Sequence, residues 1–410
     1  MRERIQALLF FLIPFLGTLP GILRVYERLA QGAERTWQVG GFFINYEAGF
    51  TRRGLIGSLF LELSRWIEPI DLLDAITFSM LIALAWVCWR VAWNCRQAQL
   101  LDAYLVAFCP ALYSIFLLWD PAGGWRQDMF SILFILLSVK TFQSKRTGAW
   151  KVQLFWGIGL LPCLALTHEA SLLFCLAPYL LILGLQLEAH FMRRTILAML
   201  LFASLPGIAA LGFVLANGSA TAEQLLSMCE AWRPVKDSIT CAPLPDVLQA
   251  IHESDDWIKR AADAWEHSRR PAQAGYLFAY LFLLAWLPIA RISAARGDSQ
   301  NQLGTQIAAF VLALIAVIPT IPLYFVGIDF GRWLTVSVTI FILTSTDSSL
   351  MSRLIEKLHA RMGEARGFPQ NESLLSRVPS FVLALIFPLY MVSHCCVQLW
   401  DLKPIWERFG

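Results

Sequence analysis

INYEAGFTRRGLIGSLFLELSRWI, residues 44–67, sets two arginines, a glutamate and a tyrosine just ahead of an apolar stretch. The stretch is too short to cross a hydrocarbon core, which needs about 20 apolar helical residues. At helical spacing Leu55, Ile56, Leu59, Leu63 and Trp66 share one side, and Ser58, Glu62 and Arg65 the other. That pattern predicts an amphipathic helix lying in a membrane interface rather than a span. The charged groups beside it then need a reason of their own.

The rest of the chain supplies the membrane. Of 410 residues 57% are hydrophobic and 15% charged, where soluble domains average roughly 25% charged. A soluble fold this apolar would expose large sticky patches, so immersion is the economical reading. A net charge of +3 without a basic tract gives no footing for nucleic acid. The nine cysteines show no metal spacing. Cys88, Cys95, Cys109, Cys163 and Cys175 sit in apolar runs as small core residues. Cys229 and Cys241 lie in a polar segment, where they are disulfide candidates if it faces an oxidising compartment.

Apolar runs fall near 5–23, 70–93, 99–118, 128–143, 149–167, 170–187, 195–216, 274–292, 304–325, 332–349 and 378–396. They predict one all-α membrane domain over 1–410, a polytopic helix bundle of about eleven transmembrane helices. Residues 24–69 form its first outer loop, carrying the interfacial helix, and 217–273 a large outer loop expected to act as a lid. Arg90, Arg96, Lys140, Lys145, Arg146, Lys151, Arg193, Arg194, Arg291 and Arg296 fall between spans on one side. By the positive-inside rule that side is cytoplasmic. The N-terminus is then inside and the C-terminus periplasmic, in a bacterial inner membrane.

On this topology five polar clusters share the outer level. They are Tyr46-Glu47 with Arg52-Arg53; Asp120 with Trp125-Arg126-Gln127-Asp128; His168-Glu169; Asp329 with Arg332; and His394 near the last helix end. Ionisable groups at membrane depth are expensive and either paired or functional. Each cluster has a plainer reading. Arg52 and Arg53 would snorkel, Asp128 and Asp329 would cap helices, and Thr167-His168-Glu169 would be a cap with an acid on the dipole. His394 would be structural. Tyr46 and the tryptophans at 37, 119, 125, 333, 400 and 406 would form the interfacial belt. Against this stands Arg332, a cation in the first turn of its helix, where it opposes the macrodipole unless an anion offsets it. Gly40-Gly41, Gly54, Gly123-Gly124 and Gly331 flank the charges and permit close approach.

Several arginines beside carboxylates suit an anion site with one carboxylate left for proton transfer. Sugar transfer from a polyprenyl phosphate fits: arginines stabilise the leaving phosphate and a carboxylate or histidine takes the acceptor's proton. No nucleotide-binding motif is present. A first helix, a charged outer loop with an interfacial helix and then a polytopic bundle resemble the GT-C superfamily of integral-membrane glycosyltransferases. In that superfamily an acid of the first outer loop acts as base or binds a metal, and the matching position in NYEAGFTRRG is Glu47. Many members have paired acids there and this chain has one. With that departure no cofactor is required, and a divalent metal is compatible with the reading but not indicated.

The base stays open between Glu47, Asp120, Asp128, His168 and Glu169, with Glu47 or the His168-Glu169 pair preferred. Arg52, Arg53, Arg126 and Arg332 are expected to converge on the donor phosphate, with Asp120, Asp128 and Asp329 as their resting partners. Tyr46 and His394 are supporting residues. The implied partners are a polyprenyl-linked saccharide, a glycan acceptor and the bilayer. A polysaccharide polymerase is a neighbouring reading. A secondary transporter of an anionic or sugar substrate and a non-catalytic assembly scaffold are the rivals.

Overall fold

The computed structural model describes residues 2–31, 37–66, 72–144, 146–234, 302–323 and 330–362, with Cys241, Trp286, Ile289 and Ile292. All regular structure in them is helical. The apolar runs give α1 (Arg2–Leu29), then, after the first loop, α2 (Gly54–Trp66) and α3 (Leu72–Cys95). Next come α4 (Leu100–Ala107), α5 (Tyr113–Trp119), α6 (Met129–Phe142), α7 (Ala149–Thr167), α8 (Glu169–Leu187) and α9 (Arg193–Asn217). The short α10 (Ala222–Glu230) follows, then α11 (Gln302–Val317), α12 (Phe330–Ser345) and α13 (Ser348–Met362).

Helices α1, α3, α7, α8 and α9 are long and apolar enough to cross a membrane, and α12 with α13 makes a sixth candidate if that bent pair counts as one. Eleven spans do not follow. The run 99–118 is two short helices, α4 and α5, parted at Pro110, which interrupts the helical ladder. Helix α6 has 14 residues and α11 has 16. The runs 274–292 and 378–396 fall largely or wholly outside the described residues. Helices α1 and α9 turn Leu8, Leu9, Ile13, Leu16 and Leu201, Phe202, Leu205, Leu215 outward, the surface expected of helices facing lipid rather than water.

Helix α8 is the centre, packed against α6, α7, α9 and α11, while α12 lies on α6 and α11. Close approach is set by small residues: a Cβ on Gly157 would meet Tyr179 Oη at 2.3 Å and Ala203 at 2.9 Å. Just there α7 makes a π turn over Trp156–Leu160 ahead of Pro162, and Tyr179 Oη donates to the Gln153 carbonyl at 2.7 Å. The wide turn accommodates a proline that would otherwise break the helix.

Helices α6 and α12 run parallel in one register. Gln143 donates to Asp347 at one end, and Asp128 meets Arg332 at the other, both pairs offset by 204 residues. At the Asp347 end the carboxylate also takes Arg90, and its Oδ1 accepts from Leu350 N at 2.9 Å, capping α13. Helix α13 turns off α12 by 79°.

Helix α2 is amphipathic as the pattern requires, but its buried seam is Gly54, Gly57 and Leu61, while Leu59, Leu63 and Trp66 are exposed. The chain of Phe42–Ile44 runs directly across it: a Cβ on Gly57 would stand 1.9 Å from the Ile44 carbonyl oxygen. Gly57→Ala should therefore cost about 1–3 kcal/mol. Gly212→Ala, facing nothing within 4 Å, should be neutral or stabilise by roughly 0.5–1 kcal/mol through helix propensity. Unfolding midpoints of the detergent-solubilised variants test the pair.

Candidate functional site

The first loop is fastened to the segment after α9. Asn45, fully buried, donates to the carbonyls of Phe43 and Met228 at 3.1 and 2.9 Å and accepts from Glu47 N at 3.1 Å. Thr51 Oγ1 and Arg52 N both donate to the Gly218 carbonyl at 3.1 Å. Trp232 Nε1 donates to the Phe43 carbonyl at 2.8 Å, and the Cys229–Cys241 disulfide closes the neighbouring turn. Of the segment proposed as a lid, residues 217–234 form this buttress, and the stretch 246–268 lies outside the described residues.

The buttress fixes where Arg52 and Arg53 point. Arg53 has φ 66°, a left-handed conformation that costs a non-glycine residue about 1–2 kcal/mol. In return its guanidinium faces Glu169 in a bidentate pair, with Nε 2.9 Å from Oε2. Across the cluster Arg332 Nε lies 3.1 Å from Asp128 Oδ2, and both side chains are buried. The contact is one of charge, because neither Asp128 oxygen accepts a hydrogen bond. Burial pushes the Asp128 carboxyl up, but Arg332 foremost, with His168, Arg126 and Arg53, outweighs it and holds the group below the ordinary aspartate range. Arg53 and, more weakly, Arg52 also act electrostatically on Glu169. All four arginines singled out in the sequence thus bear on one pair of carboxylates, at one end of the bundle.

His168 sits between them. Its Nδ1 accepts from Ala170 N at 3.2 Å, capping α8, so the neutral ring carries its proton on Nε2. Burial first, then Arg53, depresses its pKa to about 4. At neutral pH His168 is an uncharged donor with its basic nitrogen occupied. Tyr46 stacks on Phe50 and covers Gly54, where a Cβ would meet the ring at 2.2 Å. Its hydroxyl is buried without a partner, and burial, with a smaller push from Cys163, raises it to about 12.

Glu47 is not drawn in. It is exposed and paired with Arg65 at 2.6 Å, and Arg65 also holds Glu62 at 2.7 Å, forming a surface triad along α2. Asp120 is buried where α5 gives way to the 3-10 turn Pro121–Gly124. Asp128 occupies the N-cap position of α6 but makes no capping bond, so the plain cap reading fails for it and holds for His168. Trp125 is fully buried, donating to Thr77 Oγ1 at 2.8 Å, and Trp333 is buried beside Arg332; neither belongs to an interfacial belt. Asp329 and His394 lie outside the described residues. Among the described residues no group of three or more His, Cys, Asp or Glu is placed to hold a metal ion.

Four residues escaped the sequence reading. Tyr113, Ser131, Ser171 and Thr335 are buried, and their hydroxyls find no hydrogen-bond partner. Three of them stand three residues after Asp128, His168 and Arg332, on the same helical faces one turn deeper. That repeated spacing was the available signal. No family model, curated protein or solved structure matches the chain.

The depressed histidine gives a pH dependence. Between its folded value of about 4 and the ordinary value of about 6.5 the unfolded chain binds more protons, so stability rises with pH through that window and levels off above it. The difference is on the order of 3 kcal/mol. Asp128, held low, adds loss of the same sign at more acid pH. Unfolding midpoints from pH 7.5 to 4.5 should fall for the native chain and fall less for His168→Asn, which keeps a cap acceptor. Equal slopes would refute the buried neutral imidazole.

Proposed function

We propose that this chain is a multi-pass membrane glycosyltransferase of GT-C type that takes a sugar from a polyprenyl-phosphate donor at the outer face of a bacterial inner membrane. One observation carries the reading: Arg52, Arg53, Arg126 and Arg332, from three separate segments, bear on Asp128, His168 and Glu169 at one end of an apolar bundle. The donor's lipid would stay among the helices while its phosphate reached that end. No nucleotide pocket or metal is needed for such a donor.

In the resting chain the carboxylates occupy the guanidiniums. A donor phosphate would replace Asp128 on Arg332, exchanging one anion for another at little electrostatic cost. Asp128, deprived of its cation inside a buried site, becomes a stronger base. It would take the proton of the acceptor hydroxyl as that oxygen bonds to the anomeric carbon. The anomeric carbon–oxygen bond breaks, and its electron pair leaves on the phosphate, stabilised by the arginines. Glu169 is held bidentate by Arg53 and His168 has its basic nitrogen engaged, so Asp128 is the base this reading prefers over Glu47, His168 and Glu169.

The test is turnover of a radiolabelled polyprenyl-phosphate sugar at matched expression. Arg53→Lys and Arg332→Lys keep the charge but lose the planar fork, and should lower kcat/KM by roughly 10²-fold. Arg65→Lys and Glu47→Gln, on the surface triad, should stay within about twofold of native, given the small worth of exposed pairs. Wild-type rates in both buried-arginine variants would overturn the phosphate clamp. A dead Glu47→Gln beside an active Asp128→Asn would return the base to the first loop.

The outer-face assignment has its own check. After reduction, Cys229 and Cys241 should react with an impermeant maleimide in intact spheroplasts, and protection of both would invert the topology.

A further inference from the structure

Asp128 is a carboxylate in an unusual seat. It stands at the N-cap position of α6, where aspartate ordinarily accepts hydrogen bonds from the first turn, yet it makes none and faces Arg332 instead. Four hydroxyls close by are equally unserved. Ser131 is the N3 residue of the same helix, the position that an N-cap side chain reaches. Thr335 carries the same offset of 204 from Ser131 that joins Asp128 to Arg332 and Gln143 to Asp347, so it lies opposite Ser131 across the α6–α12 seam. Tyr113 is bound into that seam by its backbone N, which donates to Thr339 Oγ1 at 2.9 Å, and the Asp128 charge acts on its hydroxyl. Ser171 closes the set from α8, which packs on both α6 and α12.

Serine and threonine inside apolar helices commonly turn back onto the carbonyl four residues earlier, as Thr344 and Ser345 of α12 and Thr346 just after it do. Ser131, Ser171 and Thr335 do not, though they are at most 1% exposed, and Tyr113 is 4% exposed. A buried hydroxyl without a partner loses its hydration for nothing in return. A carboxylate one turn above Ser131, itself without a hydrogen bond, is the natural missing partner.

We propose that Tyr113, Ser131 and Thr335, with Ser171 behind them, form a second seat for the Asp128 carboxylate, which it takes when an external oxyanion occupies Arg332. The inference rests on the anion-site reading above and adds positioning residues to it. In the first seat Asp128 neutralises Arg332 and keeps the empty site charge-balanced. In the second it accepts hydrogen bonds from neutral hydroxyls, which hold its charge less strongly than the guanidinium did and so leave it more basic than in the first seat. There it stays clear of the incoming phosphate and is aimed from beneath at whatever attacks beside it. The hydroxyls touch neither donor nor acceptor; they act through Asp128.

The experiment is a double-mutant cycle on the purified full chain, reading the Kd of inorganic phosphate and the carboxylate infrared bands. In the native chain phosphate should shift a carboxylate band that Asp128→Asn abolishes. Tyr113→Phe/Ser131→Ala/Thr335→Val should weaken phosphate binding about tenfold, while the same three changes in an Asp128→Asn background should leave affinity within twofold. Thr335→Ser, which keeps the hydroxyl, should restore native affinity when placed in the triple variant instead of valine together with Ser131 and Tyr113 returned. Equal weakening with and without Asp128 would mean that the hydroxyls hold the fold or the ligand directly, and would overturn the second seat. No weakening in the native background would overturn it too. Absence of phosphate binding in the native chain would instead refute the underlying anion site, a separate outcome.

Discussion

The buried contact between Asp128 and Arg332 is the constraint around which the bundle is arranged. Neither charge is tolerable alone at that depth, since removing one partner from such a pair leaves the other uncompensated. Arg332 is doubly awkward, because a cation in the first turn of a helix opposes the macrodipole. Asp128 relieves both problems at once and ties α6 to α12 at one end. Asp347 ties them at the other, through Gln143 and, beyond them, Arg90 of α3. Two short helices of 14 and 16 residues are thereby held in a single parallel register by polar contacts at both ends.

The loop machinery follows from that end of the bundle. With α6, α8 and α12 presenting their N-termini together, the remaining charges must arrive from outside the helices. Arg52 and Arg53 are delivered by a loop whose own backbone bonding, over its described residues, is confined to short turns at Trp37–Gly40, Gly41–Phe43 and 46–49. The buried Asn45, the Gly218 carbonyl and Trp232 anchor it further. Glycine is required where this loop crosses α2, because any side chain at 57 would collide with backbone. Among the described residues Arg53 is the non-glycine residue with a left-handed backbone, and that turn aims its guanidinium at Glu169 rather than at lipid headgroups.

What the sequence disclosed divides along physical lines. Hydropathy is a property of long windows, so the helices and their membrane character were legible, as was the gathering of charge at helix ends. Length is less forgiving: Pro110 cuts one run into α4 and α5, and the window sum does not register the cut. Side-chain direction was not legible at all. Trp125 and Trp333 look like belt residues until packing turns them inward. Nor does anything in the sequence show Glu47 paired at the surface with Arg65, eighteen residues on. Gly54 and Gly57 carry no apolar signal, yet they form the seam by which α2 docks. The hydroxyls of Ser131, Ser171 and Thr335 were hidden for a related reason. Each is an unremarkable small residue in an apolar run, and only its place one turn below a charged residue on a converging helix gives it meaning.

The site's electrostatics suggest why the resting chain keeps its candidate bases weak. A carboxylate beside a guanidinium is held ionised but poorly basic, and a buried histidine with a depressed pKa is neutral and engaged as a cap. Nothing in that arrangement activates a stray water. Basicity can appear only when something else takes the arginine, since the same burial that was offset by Arg332 then raises the proton affinity of Asp128. On the proposed reading the arriving anion is therefore both ligand and trigger. Because guanidinium, dipole and backbone are already in place for one negative charge, the exchange of carboxylate for phosphate demands little reorganisation at the moment of binding. On the proposed reading, a site of this construction would couple the presence of its donor to the power of its base through a single competition for Arg332.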